Sequence, residues 1–255
     1  MDVLAIVLLA ASGALGGALG PMLIARIPEP EAEVDASEPQ LDPSEPQLDA
    51  SEAEVDASEA DVKVAYAEIA RAPYLALRLG LAGLVIGAAI GWHLGWTGAL
   101  VPWALLIPLG VVLGYVDWRT RLLPSDVVKP SYPVMIVLVL LAAWLDRDAH
   151  VLLGALGGWI AMGAVYLLMW FLVPSGMGYG DVRFSGLIGM ALGYLGWAEV
   201  ACGWYAGILL GGVIGAVLAV LKVVDHKAMP FGPFMMLGAV VGVLAGGPIA
   251  SALGY

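Results

Sequence analysis

The chain has 255 residues, of which 61% are hydrophobic, and its mean hydropathy is +0.90. This composition excludes a water-soluble globular domain and predicts an all-α polytopic transmembrane helical bundle, because apolar runs of roughly 20 residues recur without the alternating pattern of β-barrel strands. The formal net charge of −11 belongs to one segment, since 13 of the 22 acidic residues lie between Glu29 and Asp61.

About eight apolar segments are predicted to span the membrane. The first, residues 3–25, lies in a predicted anchor over residues 1–28. The other seven form a predicted catalytic membrane core over residues 74–255, at residues 74–95, 98–116, 131–145, 151–173, 184–198, 203–222 and 233–253. Three segments are short, which indicates tilt or partial crossing.

The acidic segment, residues 29–61, is a heptad repeat that starts with EVDASEP. Its period is that of a coiled coil, but each unit has only one large apolar side chain, and Pro39, Pro43 and Pro46 break helices. We therefore expect a disordered, self-repelling loop, which either attracts a basic substrate or serves as a spacer. Residues 62–73 are predicted to form either an amphipathic surface helix or a plain linker.

Basic residues predict the orientation of the chain in the membrane. If the N-terminus faces outward and each segment crosses once, ten of the 11 Lys and Arg residues lie on one side and only Arg147 lies on the other. The positive-inside rule assigns the first side to the cytoplasm. The acidic loop, Asp117 and Asp181 are then all expected on the cytoplasmic side.

Glycines at four-residue intervals predict close packing between helices, because small residues on one face let backbones approach in lipid. This pattern favours packing within a compact bundle over a dimer interface. The stripes are Gly83, Gly87, Gly91 and Gly95; Gly203, Gly207, Gly211 and Gly215; and Gly238, Gly242 and Gly246.

Two carboxylates lie at the ends of apolar runs. Asp117 occurs in GYVDWRTRLLPSD, and Asp181 occurs in PSGMGYGDVRF. A carboxylate at the hydrocarbon boundary is costly, so the pair indicates a functional site. Gly178 and Gly180 make the backbone before Asp181 irregular, which is tolerated at membrane depth only where protein or water covers it. We therefore expect a hydrated cavity here.

Two carboxylates that are one water apart share a proton, so one can act as a base on water while the other donates to a carbonyl, as in aspartic proteases. An alternative is that both are ordinary surface charges. Asp117 would then pair with Arg119 or Arg121. Asp181 would pair with Arg183. An ion-coupled transporter is a second alternative, although its paired acids would be expected near the bilayer midplane.

Three motifs, DWRTRLLPS, GMGYGDVRF and MPFGPFMMLG, resemble the signature regions of type IV prepilin peptidases, which are GxGD membrane aspartyl proteases. The start, GALGGALGPMLIARIP, resembles the first helix of that family. The resemblance implies that Asp117 and Asp181 are the catalytic pair. It further implies that substrate binding or loop shaping involves Gly178, Gly180, Arg183 (where the family usually has Lys), Pro230, Phe231, Gly232 and Pro233.

The resemblance implies an endopeptidase of the bacterial inner membrane. Such enzymes cleave the basic leader of prepilin or pseudopilin precursors at the cytoplasmic face, after a glycine, in type IV pilus assembly and protein secretion. Proteolysis needs no cofactor. Many relatives also N-methylate the new terminus with S-adenosylmethionine, and methyl transfer is left open here. The lipid bilayer is the other expected partner, and no nucleic acid is expected.

No metal is expected either. Many relatives have two CxxC pairs between their first two spans, where this chain has the acidic repeat. The single cysteine, Cys202, excludes a four-cysteine zinc site, and the three histidines are too scattered along the sequence to suggest one.

Overall fold

The computed structural model describes residues 2–28, 65–172, 177–220 and 230–254, which are entirely helices and their connections. The helices of these ranges are α1 (Val3–Ala18), α2 (Gly20–Ile24), α3 (Tyr66–Ala70), α4 (Leu75–Leu94), α5 (Leu100–Thr120), α6 (Ser125–Asp146), α7 (His150–Leu172), α8 (Tyr179–Leu195), α9 (Trp197–Val220) and α10 (Gly232–Ala252).

Six of these helices are long and apolar enough to cross a membrane, namely α4, α5, α6, α7, α9 and α10. The helix α1 is apolar but shorter, and α8 has 17 residues. The prediction of an all-α polytopic membrane bundle is confirmed for the described part of the chain.

The helix boundaries differ from the predicted segments at three informative places. The first segment divides into α1 and α2 at Leu19, with Pro21 in the first turn of α2, where a missing N–H costs no hydrogen bond. The helix α5 continues to Thr120, so Asp117 lies inside its last turn. The helix α6 begins at Ser125 rather than 131 and contains Pro130 and Pro133, since neighbouring elements can compensate for proline in membrane helices.

The segment between the first two apolar stretches is described only in part. The acidic repeat over residues 29–61 lies outside the described residues, as do residues 62–64. The remainder contains α3, which buries Tyr66 and Ile69 in a small cluster with Ile24 of α2 and Val116 of α5. The predicted short helix therefore has an apolar face, and that face packs on the bundle.

Three helix pairs approach closely through glycines: α1 with α4, α7 with α8, and α9 with α10. A methyl group on Gly83 would lie 2.1 Å from the carbonyl oxygen of Gly13. One on Gly193 would lie 2.3 Å from the carbonyl oxygen of Gly154, and one on Gly238 would lie 2.5 Å from the backbone of α9. Since no side chain fits at such distances, these glycines set the spacing of the helix pairs.

The predicted glycine stripes on α4, α9 and α10 are confirmed by these contacts, with two exceptions. Gly95 ends α4 with φ +63°, a conformation that favours glycine, and its neighbour is the side chain of Asp2 rather than the backbone of another helix. Gly215 lies outside the residues whose packing is described. The stripes that join α7 to α8 are absent from the prediction, although Gly154 and Gly158 have the same four-residue spacing.

We expect Gly83→Ala to destabilise the protein by about 2 kcal/mol, because the added methyl group overlaps a backbone carbonyl that cannot rotate aside. Gly163→Ala in α7 is the matched control, since nothing lies within 4 Å of its added methyl group. Thermal unfolding in detergent, followed by tryptophan fluorescence, measures the difference. Equal midpoints for the two variants would contradict this account of the packing.

The helices α5 and α8 lie at the centre of the bundle. Among the six long helices of the described chain, α5 is the most buried, and nearly every side chain of α8 from Asp181 to Tyr194 is buried. The C-terminal end of α5 meets the N-terminal ends of α8 and α10, because Leu123 packs on Gly180 and Gly232 contacts Asp117. Three helix ends therefore converge where the two aspartates lie.

Candidate active site

Asp117 lies in the last turn of α5 and is 2% exposed. Its Oδ2 accepts a hydrogen bond of 2.7 Å from the backbone N–H of Gly232. Gly232 is the first residue of α10, so this N–H is one of the amides that have no partner within their own helix. The carboxylate of Asp117 thus caps the N-terminus of α10, an end of the helix that favours negative charge.

Asp181 is the third residue of α8 and is 5% exposed. Its Oδ2 accepts a hydrogen bond of 3.1 Å from the N–H of Gly178, the residue that precedes the helix. This is the acidic half of a capping box. Its Oδ1 is buried and has no hydrogen-bond partner among the described residues. A buried acceptor without a partner is costly, so this oxygen is free to bind a water or a reacting group.

Both carboxyls lie where the last turn of α5 and the connection after it meet the first turn of α8. The connection after α5 packs directly on the first turn of α8, because a methyl group on Gly180 would lie 2.7 Å from Cβ of Leu123 and 2.8 Å from its carbonyl oxygen. The fold therefore brings together Asp117 and Asp181, which are 64 positions apart in the sequence, on the ends of adjoining helices.

Tyr166 of α7 also belongs to this neighbourhood, although the sequence analysis does not include it. Its side chain is 1% exposed and interacts electrostatically with Asp181. Its hydroxyl lies near α9, 3.6 Å from where a methyl group on Gly207 would be. The only signal in the sequence is a polar hydroxyl in the middle of an apolar helix, which does not distinguish it from other buried tyrosines.

The alternative of ordinary ion pairs does not agree with the observed contacts. The guanidinium of Arg183 donates a hydrogen bond to Oγ of Ser125 and lies 4.6 Å from the centre of the Tyr179 ring. The hydrogen bonds that the structure gives to Asp117 and Asp181 come from backbone amides instead.

Only part of the turn before α10 contacts the carboxylates. Gly232 contacts Asp117, whereas the neighbouring Pro233 packs against Gly114 of α5. Phe231 is half-buried and reaches Gly211 of α9. Pro230 is buried. Of these four predicted residues, Gly232 is therefore the one that the described contacts place directly at the site.

The predicted hydrated cavity stays a prediction. Near the C-terminal end of α5, a groove of about 310 Å³ runs between α4, α5 and α10, and its walls are apolar. Its lining includes Gly114, Tyr115, Trp118, Pro233 and Met236. Within the part of the chain that the structure describes, both carboxyls are almost fully enclosed, because the helix ends that carry them pack directly on one another.

Comparisons with known proteins place this geometry in context. A family model described as the type IV leader peptidase family matches residues 103–220, which include both aspartates. A protein named prepilin leader peptidase/N-methyltransferase from Stutzerimonas stutzeri is 29% identical over 192 residues, or 71% of this chain and 61% of that protein. No solved structure matches the chain.

Two more distant relatives have the same name. The protein from Pseudomonas aeruginosa is 26% identical over 176 residues, which cover 66% of this chain and 58% of the relative. The protein from Bacillus subtilis is 25% identical over 165 residues, which cover 64% of this chain and 63% of the relative. The chain thus spans about three fifths of the length of these relatives.

Proposed function

We propose that this chain, whose residues 103–220 match the type IV leader peptidase family, is a membrane-embedded aspartic endopeptidase that removes the basic leader from prepilin-like precursors. The observation that supports this most strongly is the enclosed pair of Asp117 and Asp181 within the matched segment. Nothing in the comparisons supports the ion-coupled transporter.

The arrangement suits hydrolysis by a carboxyl pair in which one member is ionised and the other is protonated. The ionised carboxylate takes a proton from a water, whose oxygen attacks the scissile carbonyl, while the protonated partner donates its proton to the carbonyl oxygen. Collapse of the tetrahedral intermediate breaks the C–N bond. The protonated carboxyl gives its proton to the leaving amine, and the ionised carboxylate takes a proton from a hydroxyl of the intermediate as the carbonyl re-forms, so the pair again holds one proton. The amides of Gly178 and Gly232 fix one oxygen of each carboxyl and leave the other for the reacting atoms.

The distribution of basic residues supports the predicted orientation. If each of the eight predicted segments crosses once, ten of the 11 Lys and Arg residues lie on one side, which the positive-inside rule assigns to the cytoplasm. The resemblance to prepilin peptidases implies that the membrane is the bacterial inner membrane. Precursors of pilins or pseudopilins, with a basic leader before an apolar helix, would reach the carboxyls from the cytoplasmic side. The acidic residues 29–61 lie on the same side in this topology.

Methyl transfer from S-adenosylmethionine stays a prediction. The relatives are named as methyltransferases too, but the segment between the first two apolar stretches, where this chain differs from the family, lies outside the described residues except for residues 26–28 and 65–73. We therefore assign the carboxyl pair to proteolysis and leave methyl transfer open.

A cleavage assay tests the proposal. We expect the purified full chain, in detergent, to cut a precursor with a basic leader, a glycine and an apolar helix once, directly after the glycine. Mass spectrometry of both products identifies the bond. A precursor whose glycine is replaced by a bulky residue is the control and should stay intact. Failure to cut prepilin or pseudopilin precursors under any condition in which the chain is folded would refute the peptidase assignment.

A further inference from the structure

A cluster around Arg183 connects the two helix ends that carry the aspartates. Arg183 lies in the first turns of α8, two residues after Asp181. Its guanidinium donates a hydrogen bond to Oγ of Ser125, the first residue of α6. Only residues 121–124 separate α6 from α5, which ends just after Asp117. One side chain thus joins α6, the helix that follows Asp117, to α8, the helix whose first turn contains Asp181.

A second hydrogen bond joins the same two helices. The hydroxyl of Tyr132 donates a bond of 2.5 Å to the backbone carbonyl of Arg183. Tyr132 follows Ser125 by seven residues, so both lie on the same face of α6. The Tyr132 hydroxyl also packs directly against α8 at Gly186, because a methyl group on that glycine would overlap it. Arg183 is therefore held at its side chain by Ser125 and at its backbone by Tyr132.

Aromatic rings complete the surroundings of the guanidinium. Arg183 stacks over Tyr179, and Tyr179 packs edge-on against Trp170 of α7 with ring centres 5.3 Å apart. A planar guanidinium can stack on a ring and donate hydrogen bonds in its plane at once, whereas an ammonium group makes point contacts. The contacts of this side chain are therefore well fixed.

We propose that Ser125, Tyr132 and Arg183 form a clamp that holds the first turns of α8 against α6 and thereby fixes Asp181 relative to Asp117. The proposal rests on the proposed peptidase function and deepens it. Arg183 is a positioning residue, since its contacts are with α6 and Tyr179 rather than with either carboxylate. Loss of the clamp would leave both carboxyl groups chemically unchanged but less well aligned with each other.

The test combines hydrogen exchange with cleavage kinetics on the full chain. Arg183→Gln and Ser125→Ala remove the side-chain bond, and Tyr132→Phe removes a single hydroxyl with little risk to folding. We expect exchange of the α8 amides at residues 182–188 to quicken about tenfold. We expect kcat to fall about tenfold while KM changes less than about twofold. The double variant S125A/R183Q should be no slower than R183Q alone, because both changes remove the same bond.

Two further variants separate positioning from general effects. Arg183→Lys should restore kcat to within about threefold of the original chain, because an ammonium can still donate to Ser125. Lys129→Gln, at an exposed position of α6 one turn after Ser125, removes a positive charge but none of the hydrogen bonds of the clamp, and should change neither exchange nor kcat.

The possible results decide between the two proposals. Exchange that is unchanged in Arg183→Gln, Ser125→Ala and Tyr132→Phe overturns the clamp, whatever their activity. Faster exchange with an unchanged kcat overturns the positioning role. If the unmodified chain cuts no precursor while the variants still exchange faster, the clamp stands as a structural contact and the peptidase assignment fails instead.

Discussion

Asp117→Asn and Asp181→Asn should each lower the rate of precursor cleavage by about a thousandfold or more, because a carboxamide can neither accept a proton from water nor return one to the leaving amine. Asparagine keeps the size of the side chain and a carbonyl oxygen for the amide of Gly232 or Gly178, so the helix ends should stay together. Initial rates at saturating precursor measure the effect, and thermal unfolding shows that the variants fold.

Asp126→Asn is the matched control for this experiment. Asp126 is an exposed carboxylate in the first turn of α6, at the same end of the bundle as the pair. Its replacement should leave the cleavage rate unchanged, which would show that loss of a negative charge at this end is not enough to stop the reaction. Substantial activity in either Asp117→Asn or Asp181→Asn would remove the carboxyl pair from the mechanism.

The two aspartates could be predicted from the sequence because charge inside an apolar run is locally visible. A contact such as that of Asp117 with Gly232 could not, since it joins residues 115 positions apart and depends on how α10 packs on α5. The same is true of Tyr166, whose position beside Asp181 is set by the close packing of α7 on α8.

The partner of Arg183 shows how a helix boundary affects a prediction. With α8 predicted to start at 184, Asp181 and Arg183 lie in a loop and could pair freely. The helix in fact starts at Tyr179, and residues two apart on a helix point to different faces. Arg183 therefore donates to Ser125, while Asp181 accepts a hydrogen bond from the N–H of Gly178. A predicted start of α8 at Tyr179 would have been enough to exclude, on the sequence alone, an ion pair between Asp181 and Arg183.

The extended boundary of α8 also separates the roles of the two glycines before Asp181. Gly178 precedes the helix with φ −74° and ψ 148°, which any residue can adopt, and it is exposed. A methyl group there would lie 3.6 Å from Oδ2 of Asp181, an ordinary contact distance. Gly180 instead lies inside the first turn, directly against the backbone of Leu123. The resemblance implies the same role for both glycines. The contacts, however, make a glycine sterically necessary at position 180 and not at position 178.

We therefore expect Gly180→Ala to lower kcat/KM for precursor cleavage by about a hundredfold and Gly178→Ala to change it by less than about threefold. A methyl group on Gly180 forces the first turn of α8 away from Leu123, which moves Asp181 relative to Asp117, and a displacement of about 1 Å in a catalytic pair costs about that factor. Parallel kinetics on the two purified variants make the comparison. An active Gly180→Ala variant, or an inactive but folded Gly178→Ala variant, would show that the contact between Leu123 and Gly180 does not align the carboxyls.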